Sequence, residues 1–386
     1  MVRISDIFKK SSSSRPPAAN EIKPKEEPVQ KKPLDEPKPK ITPEVSEVLA
    51  PPAVDRMPAQ KQDSETENTN RMRIAQAMHE TVTDRARSHN LYLMGIQLIK
   101  EALSDANELK PINLIQLEHW VKDTAEAIVF SDSELLRLFY DYNSENFLFI
   151  HMVNVSILSL EIGLGLGYNK SQLHELGLAG LLHDIGMLKV EELGMLGRKL
   201  SEDEYMQIKS HPIYGVEILS KIKGIAEPVI YVAKEEHERV NGTGYPGGLK
   251  DGEISEYARI VMIADVYEAL THNRPYRKKV SPHEAIKDLI ANNLVFDSTI
   301  LKVLINKVGV YPISSWIELN SNEICKVMIN NNDFPLRPVV HVLFDATGHR
   351  LKDPRIINLA KQFNLFIKKA LTDEELAREV KDPIEF

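Results

Sequence analysis

The sequence predicts a mainly α-helical protein with a small α+β extension at its C-terminal end. Three observations predict this. Apolar residues recur at spacings of three and four from about Arg71 to residue 310. Helix-start signals punctuate that stretch. Short β-branched apolar segments, typical of strands, begin only after Tyr311.

Taken in order, residues 1–70 read as a disordered Pro/Lys/Glu-rich tail. KPKEEPVQKKPLDEPKPK has almost nothing to bury and cannot offset its ordering entropy, so a solvated tether is expected rather than a docking segment. Residues 71–140 form an N-terminal helical region. RIAQAMHETVTDRARSHNLYLMGIQLIKEAL and INLIQLEHWVKDTAEAIVF each carry an amphipathic repeat, and Pro111 sits near the start of the second, where proline is tolerated. These helices suit a sensor, a dimerisation bundle or a cap on the next domain. They leave a homodimer or a signalling-protein partner open.

Residues 141–312 continue as helices separated by loops. FLFIHMVNVSILSLEIGLGLG is interrupted by His151, Asn154 and Glu161, so it reads as a buried helix rather than a membrane span. Ser201 and Glu204 form a capping box opening the helix that runs towards His211. Ser281 caps the next helix signal, with Pro282 at its first position. Residues 313–386 form the small β-rich extension, where WIEL, EICKVMI and PVVHVLF are the expected strands. INLAKQFNLFIKKAL mixes strand and helix signals, and the acidic end reads as an exposed helix.

Composition bounds the function. A net charge of −8 argues against a partner that is a nucleic-acid polymer. The single cysteine, Cys325, excludes a disulfide framework or a thiolate metal cluster and fits a reducing compartment. MVRISDIFKKSSSS lacks the apolar core of a secretory signal, so a cytoplasmic location is expected.

Five segments supply histidines and carboxylates from apolar or Gly-turn surroundings: His151; His183 with Asp184; His211; Glu236 with His237 in EEHERVNGTGYPGG; and Asp265 in VMIADVYEAL. Buried imidazole and carboxylate groups are costly unless hydrogen-bonded or metal-bound. A set without thiolate suits iron, manganese, zinc or nickel. Two such ions about 3.5–4 Å apart can clamp both oxygens of a phosphoryl displacement. Asp184, next to His183, is the natural shared carboxylate.

The order H…HD…H…HE…GYP…D, running from His151 through ADVYEALTHNRPYR, resembles the HD-GYP family of metal-dependent phosphodiesterases within the wider HD superfamily. HERVNGTGYP is its most specific part. The resemblance implies an all-helical HD domain that opens cyclic di-GMP to pGpG or GMP through a hydroxide bridging the metals. It implies two divalent ions, iron or manganese. Its ligands are matched by His151, His183, Asp184, His211, His237 and Asp265, with Glu236 able to ligate through oxygen. Arg274 matches an arginine that approaches a substrate phosphate, and with Asp184 it is the expected catalytic pair. Gly244, Tyr245 and Pro246 match the signature loop beside the substrate; a plain Gly/Pro turn, and a surface ion pair for Arg274, are the blander alternatives.

Four departures stand out. Met187 replaces the lysine of the usual HDIGK, Glu236 replaces a histidine of the usual HHE, and Asn241 replaces a frequent aspartate. Phe147 stands where members with a third metal carry glutamate, so two metals are expected. Losing the lysine is expected to slow turnover, and a degenerate module that binds a cyclic dinucleotide or a protein partner without cutting is the alternative function.

Overall fold

The computed structural model describes residues 63–130, 134–141, 147–274, 277–331 and 333–383, with side chains from Arg85 onward. Most of the 1–70 tail, and Pro275 and Tyr276 of the NRPYR motif, lie outside the described residues.

Helix α1 spans Asp63–Asn107, α2 Leu114–Phe130 and α3 Glu134–Asp141. The first begins eight residues earlier than periodicity suggests, because DSETENTN is helical but carries no apolar repeat to reveal it. Tyr92, Ile99, Trp120, Val121 and Phe139 lie in one continuous core with the helices that follow.

The centre of that core is α4 (Phe147–Gly165), buried along nearly its whole length. A helix apolar all round belongs inside a protein or a membrane; here α5 (Lys170–Leu182), α10 (Glu256–Thr271) and α12 (Ser298–Val308) enclose it. Some of its polar groups are partnered within the fold. Ser156 donates to the Gly177 carbonyl at 2.7 Å, and Glu161 pairs with Lys307 at 3.3 Å. After α5 come a 3-10 turn at Ile185–Lys189, α6 (Glu191–Gly194), α7 (Glu202–Ile208), α8 (His211–Leu219) and α9 (Glu227–Glu235). Ser201 and Glu204 make the expected reciprocal cap of α7, and Ser281 accepts from the Glu284 amide to start α11 (Pro282–Ala291).

The C-terminal sheet is antiparallel, with strand order β4-β3-β2-β1-β5. WIEL, most of EICKVMI and most of PVVHVLF form β1 (Trp316–Leu319), β2 (Ile324–Ile329) and β3 (Val339–Phe344). In β3 the residues Val340, Val342 and Phe344 face inward with the period of two that a half-buried strand requires. The strand signal at RLKDPRIIN was masked by charge and by Pro354. It forms β4 (Arg350–Asn358), an edge strand where proline is tolerated. INLAKQFNLFIKKAL resolves into the end of β4, a 3-10 turn at Leu359–Lys361 and β5 (Ile367–Leu371). The final helix α13 (Asp373–Glu379) is not wholly exposed: Leu376 is buried beside Trp316, Ile324 and Phe344.

Candidate metal centre

Seven side chains predicted to ligate metal come together. His151 lies one turn into α4; His183 caps the C-terminus of α5, with Asp184 next; His211 begins α8; Glu236 caps α9, followed by His237; Asp265 lies on α10. They form two adjoining groups, His151–His183–Asp265 and Asp184–His211–Glu236–His237, each with its potential ligand atoms within 4.8 Å of one another.

Hydrogen bonding fixes which ring atoms face inward. His183 Nδ1–H donates to the Gly180 carbonyl at 2.8 Å, and His211 Nδ1–H donates to the Ile208 carbonyl at 2.7 Å. His151 Nδ1–H donates to Glu268 Oε2 at 2.5 Å. All three acceptors lack a proton to give, so Nδ1 carries the hydrogen in each ring and Nε2 is the atom turned to the centre. His151 Nε2 and His183 Nε2 face each other at 3.3 Å. His151 Nε2 also lies 3.4 Å from Asp184 and 3.3 Å from Asp265. Nitrogen and carboxylate atoms this close need a proton or a cation among them. Burial disfavours charge on His151, yet Glu268, Asp184 and Asp265 raise it well above the usual imidazole range, so a metal ion there competes with a proton.

Two carboxylates span the groups. Asp184 turns Oδ2 to His151 at 3.4 Å and Oδ1 to His211 at 3.2 Å. Glu236 turns Oε1 to His211 at 3.3 Å and Oε2 to His183 at 3.6 Å. Glu236 Oε2 is buried with no hydrogen-bond partner. Burial, opposed by His183 and reinforced by Asp184 and Asp265, pushes the Glu236 carboxyl well above the usual carboxylate range. Asp184 goes the other way, because His183, His151 and His211 overcome its burial and hold it well below that range. Burial, with His211 beside it, pushes His237 down to about 3, leaving a neutral ring. An unpartnered buried carboxylate oxygen among lone pairs fits divalent cations, and glutamate at the EHE position is placed to serve as a ligand.

The layer behind the cluster contains groups that sequence reading missed. Glu268 lies three residues after Asp265, on the same helix face, and that spacing was the available signal. Its Oε2 accepts from His151 and from Arg274 Nη2 at 2.5 Å, and its Oε1 from Asn154 Nδ2 at 3.2 Å. Asn154 in turn accepts from the buried Tyr92 hydroxyl of α1 at 2.7 Å. His272 anchors this layer through a 2.7 Å hydrogen bond to the Phe139 carbonyl. Such outer partners set the orientation and basicity of a ligand histidine.

Arg274 belongs to this layer, with its side chain only 8% exposed. Its guanidinium binds Glu268 and lies 5.3 Å from the Phe147 ring centroid. Phe147, at the third-metal position, thus packs against a cation. Met187 is half-buried in the apolar core and offers the centre no hydrogen-bond donor.

The signature loop adjoins the cluster. Tyr245 stacks on the His237 ring, with centroids 4.8 Å apart, and its amide donates to the His237 carbonyl at 3.1 Å. Gly244 presses so close that a Cβ would overlap the Glu238 backbone. Pro246 is exposed, after a cis peptide bond. Glu238, not singled out as a site residue, secures the loop by accepting from the amides of Gly247, Gly248 and Leu249 at 2.6–3.1 Å. Gly186 does comparable work beneath Asp184, since a Cβ there would overlap the His211 carbonyl. Gly186→Ala is expected to force the 3-10 turn from α8, at about 1–3 kcal/mol. A lowered thermal midpoint of the metal-free chain checks this, and an unchanged midpoint contradicts it.

Two family models match the chain. Residues 113–300 match the HD domain, and residues 316–379 match a KOW domain associated with HD domain. A cyclic di-GMP phosphodiesterase of Pseudomonas aeruginosa is 30% identical over 259 residues, covering 67% of this chain and 62% of that protein. A 3'3'-cGAMP-specific phosphodiesterase of Vibrio cholerae is 39% identical over 141 residues, covering 36% of this chain and 32% of that protein. The alignment thus spans less than two thirds of either relative. An HDG"Y"P protein from Bdellovibrio bacteriovorus shares the fold, with a TM-score of 0.50 at 21% identity over 62% of this chain and 79% of that one. Residues 113–300 of this chain are thus an HD domain.

Proposed function

We propose that this protein is a metal-dependent phosphodiesterase that hydrolyses a cyclic dinucleotide, cyclic di-GMP first, to pGpG or GMP. The observation that carries the reading is the cluster of imidazoles and carboxylates divided into two halves by Asp184 and Glu236. His151, His183 and Asp265 would hold one divalent ion and His211 and His237 the other, with Asp184 and Glu236 shared. Such a pair supplies Lewis-acid stabilisation of the attacking and leaving oxygens and lowers the pKa of water. Iron or manganese suits the nitrogen and oxygen donors. The names of the Pseudomonas and Vibrio relatives support cyclic dinucleotides as the substrate class.

The chain's own residues do the positioning. Imidazoles point their Nε2 atoms inward because backbone carbonyls and Glu268 take the protons on their far sides. The Gly244–Tyr245 segment walls one side of the centre. Arg274 Nη2 is held by Glu268, which also accepts from His151, so the arginine supports that ligand while its other N–H groups stay available to a substrate phosphate.

Anaerobically purified chain loaded with iron or manganese is expected to release pGpG or GMP from cyclic di-GMP, and chelation is expected to stop it. 3'3'-cGAMP tested in parallel defines base preference. A second reading rests on Met187, whose side chain carries no charge. Losing one preorganised donor costs about 10²–10³-fold in rate. Metal-replete protein that binds either nucleotide yet leaves both intact over hours would replace the enzyme with a receptor.

A further inference from the structure

The anionic substrate of the proposed reaction needs cations beyond the metal ligands, and one expected source is missing. Position 187 is methionine, and Arg274, the other, has its Nη2 engaged by Glu268 at 2.5 Å. Lys209 lies elsewhere on the rim. It caps the C-terminus of α7, its amide bonded to the Tyr205 carbonyl at 3.1 Å. The preceding carbonyl, that of Ile208, receives the Nδ1–H of His211. The backbone that carries Lys209 is therefore the backbone that orients a metal-site histidine.

The side chain reaches towards the signature loop. Lys209 Nζ lies 5.0 Å from the Tyr205 ring centroid and 4.9 Å from that of Tyr245, the ring stacked on His237. Two aromatic rings hold an ammonium by its attraction to their π-faces. They leave its N–H groups available for an anion, because a ring offers no full negative charge. Lys209 is only partly buried, and it has no carboxylate partner among the described residues. A merely structural lysine on a chain of net charge −8 would more naturally find an acidic neighbour.

Resting on the phosphodiesterase reading, we infer that Lys209 is a substrate-binding residue whose ammonium, held by Tyr205 and Tyr245, contacts a non-bridging phosphate oxygen of the diester. Lysine acts here as a point charge with three rotatable donors. It lies on a different segment from Met187 and restores positive charge to a centre whose 3-10 turn supplies none at that position.

The test compares full-length wild type, Lys209→Met and Lys209→Arg, each loaded with the same metal. Affinity for inorganic phosphate and KM for cyclic di-GMP are measured beside metal content. A charged hydrogen bond of ordinary strength predicts about 10–100-fold weaker phosphate binding and a KM raised by a similar factor in Lys209→Met. Lys209→Arg is expected to stay within a few fold of wild type, with metal content unchanged in both. Phosphate affinity unchanged in Lys209→Met overturns the inference. Metal lost from both variants also overturns it, since the role would then be to support His211. Wild type that leaves cyclic di-GMP uncut defeats the proposed function instead, while the phosphate comparison still decides the role of Lys209.

Discussion

Asp184→Ala is expected to lose both metal equivalents and to reduce the proposed phosphodiesterase activity by about 10³-fold or more. Metal-ion stabilisation of developing charge is worth several kcal/mol, and each 1.36 kcal/mol is a factor of ten in rate. Geometry sets the expectation. One oxygen of Asp184 faces His151 and the other faces His211, so the substitution removes a donor from each half at once. Asp265 cannot take over both contacts, because it approaches from α10 and pairs with His151 and His237 but not with His211. Metal analysis of the purified variant, followed by turnover of cyclic di-GMP, checks the outcome. Two bound ions in Asp184→Ala at wild-type activity would show that this carboxylate is not shared. Asp184→Asn refines the result: the amide keeps the shape, but one of its two positions becomes a donor and cannot face a cation.

The sequence made the clustered imidazoles and carboxylates legible because those residues interrupt apolar segments, where an unpaired imidazole or carboxylate is costly. Helix starts were legible for the same local reason, as Ser201 and Ser281 show. What stayed hidden depends on distant packing. Glu268 lies 117 positions from His151, and Tyr92 lies 62 from Asn154; no local period announces either contact. Glu236 was visible as a departure, but the division of its two oxygens between His183 and His211 is a property of the assembled fold. Arg274 was read from motif position as a substrate contact, and its pairing with Glu268 is an additional contact that the motif does not announce. In the extension, β4 was missed because an edge strand tolerates the charges and proline that a buried strand excludes.

Glu268→Gln is expected to weaken the ion held by His151 about 10–100-fold, while leaving the ion held by His211 and His237 closer to wild type. Three donors converge on the carboxylate: His151 Nδ1–H, Arg274 Nη2–H and Asn154 Nδ2–H. Burial works against its charge, but Arg274, His151 and His272 hold it well below the usual carboxylate range. Glutamine keeps the volume and gives up the charge, and its amide NH₂ must point at one of those donors. His151 then loses the anion that makes its inward nitrogen more basic. Arg274 becomes a buried cation without its partner, a change that costs about 3–5 kcal/mol. Titration of the metal-free variant with manganese, with thermal unfolding in parallel, reads both effects. Equal weakening of the two ions, or none, would contradict a positioning role confined to the His151 half. The double variant Glu268→Gln/Arg274→Met separates the two consequences. Removing the stranded cation should recover part of the lost stability, since neighbouring substitutions in one network do not add. Affinity at the His151 half should stay low, because nothing in the double variant restores an anion behind that ring.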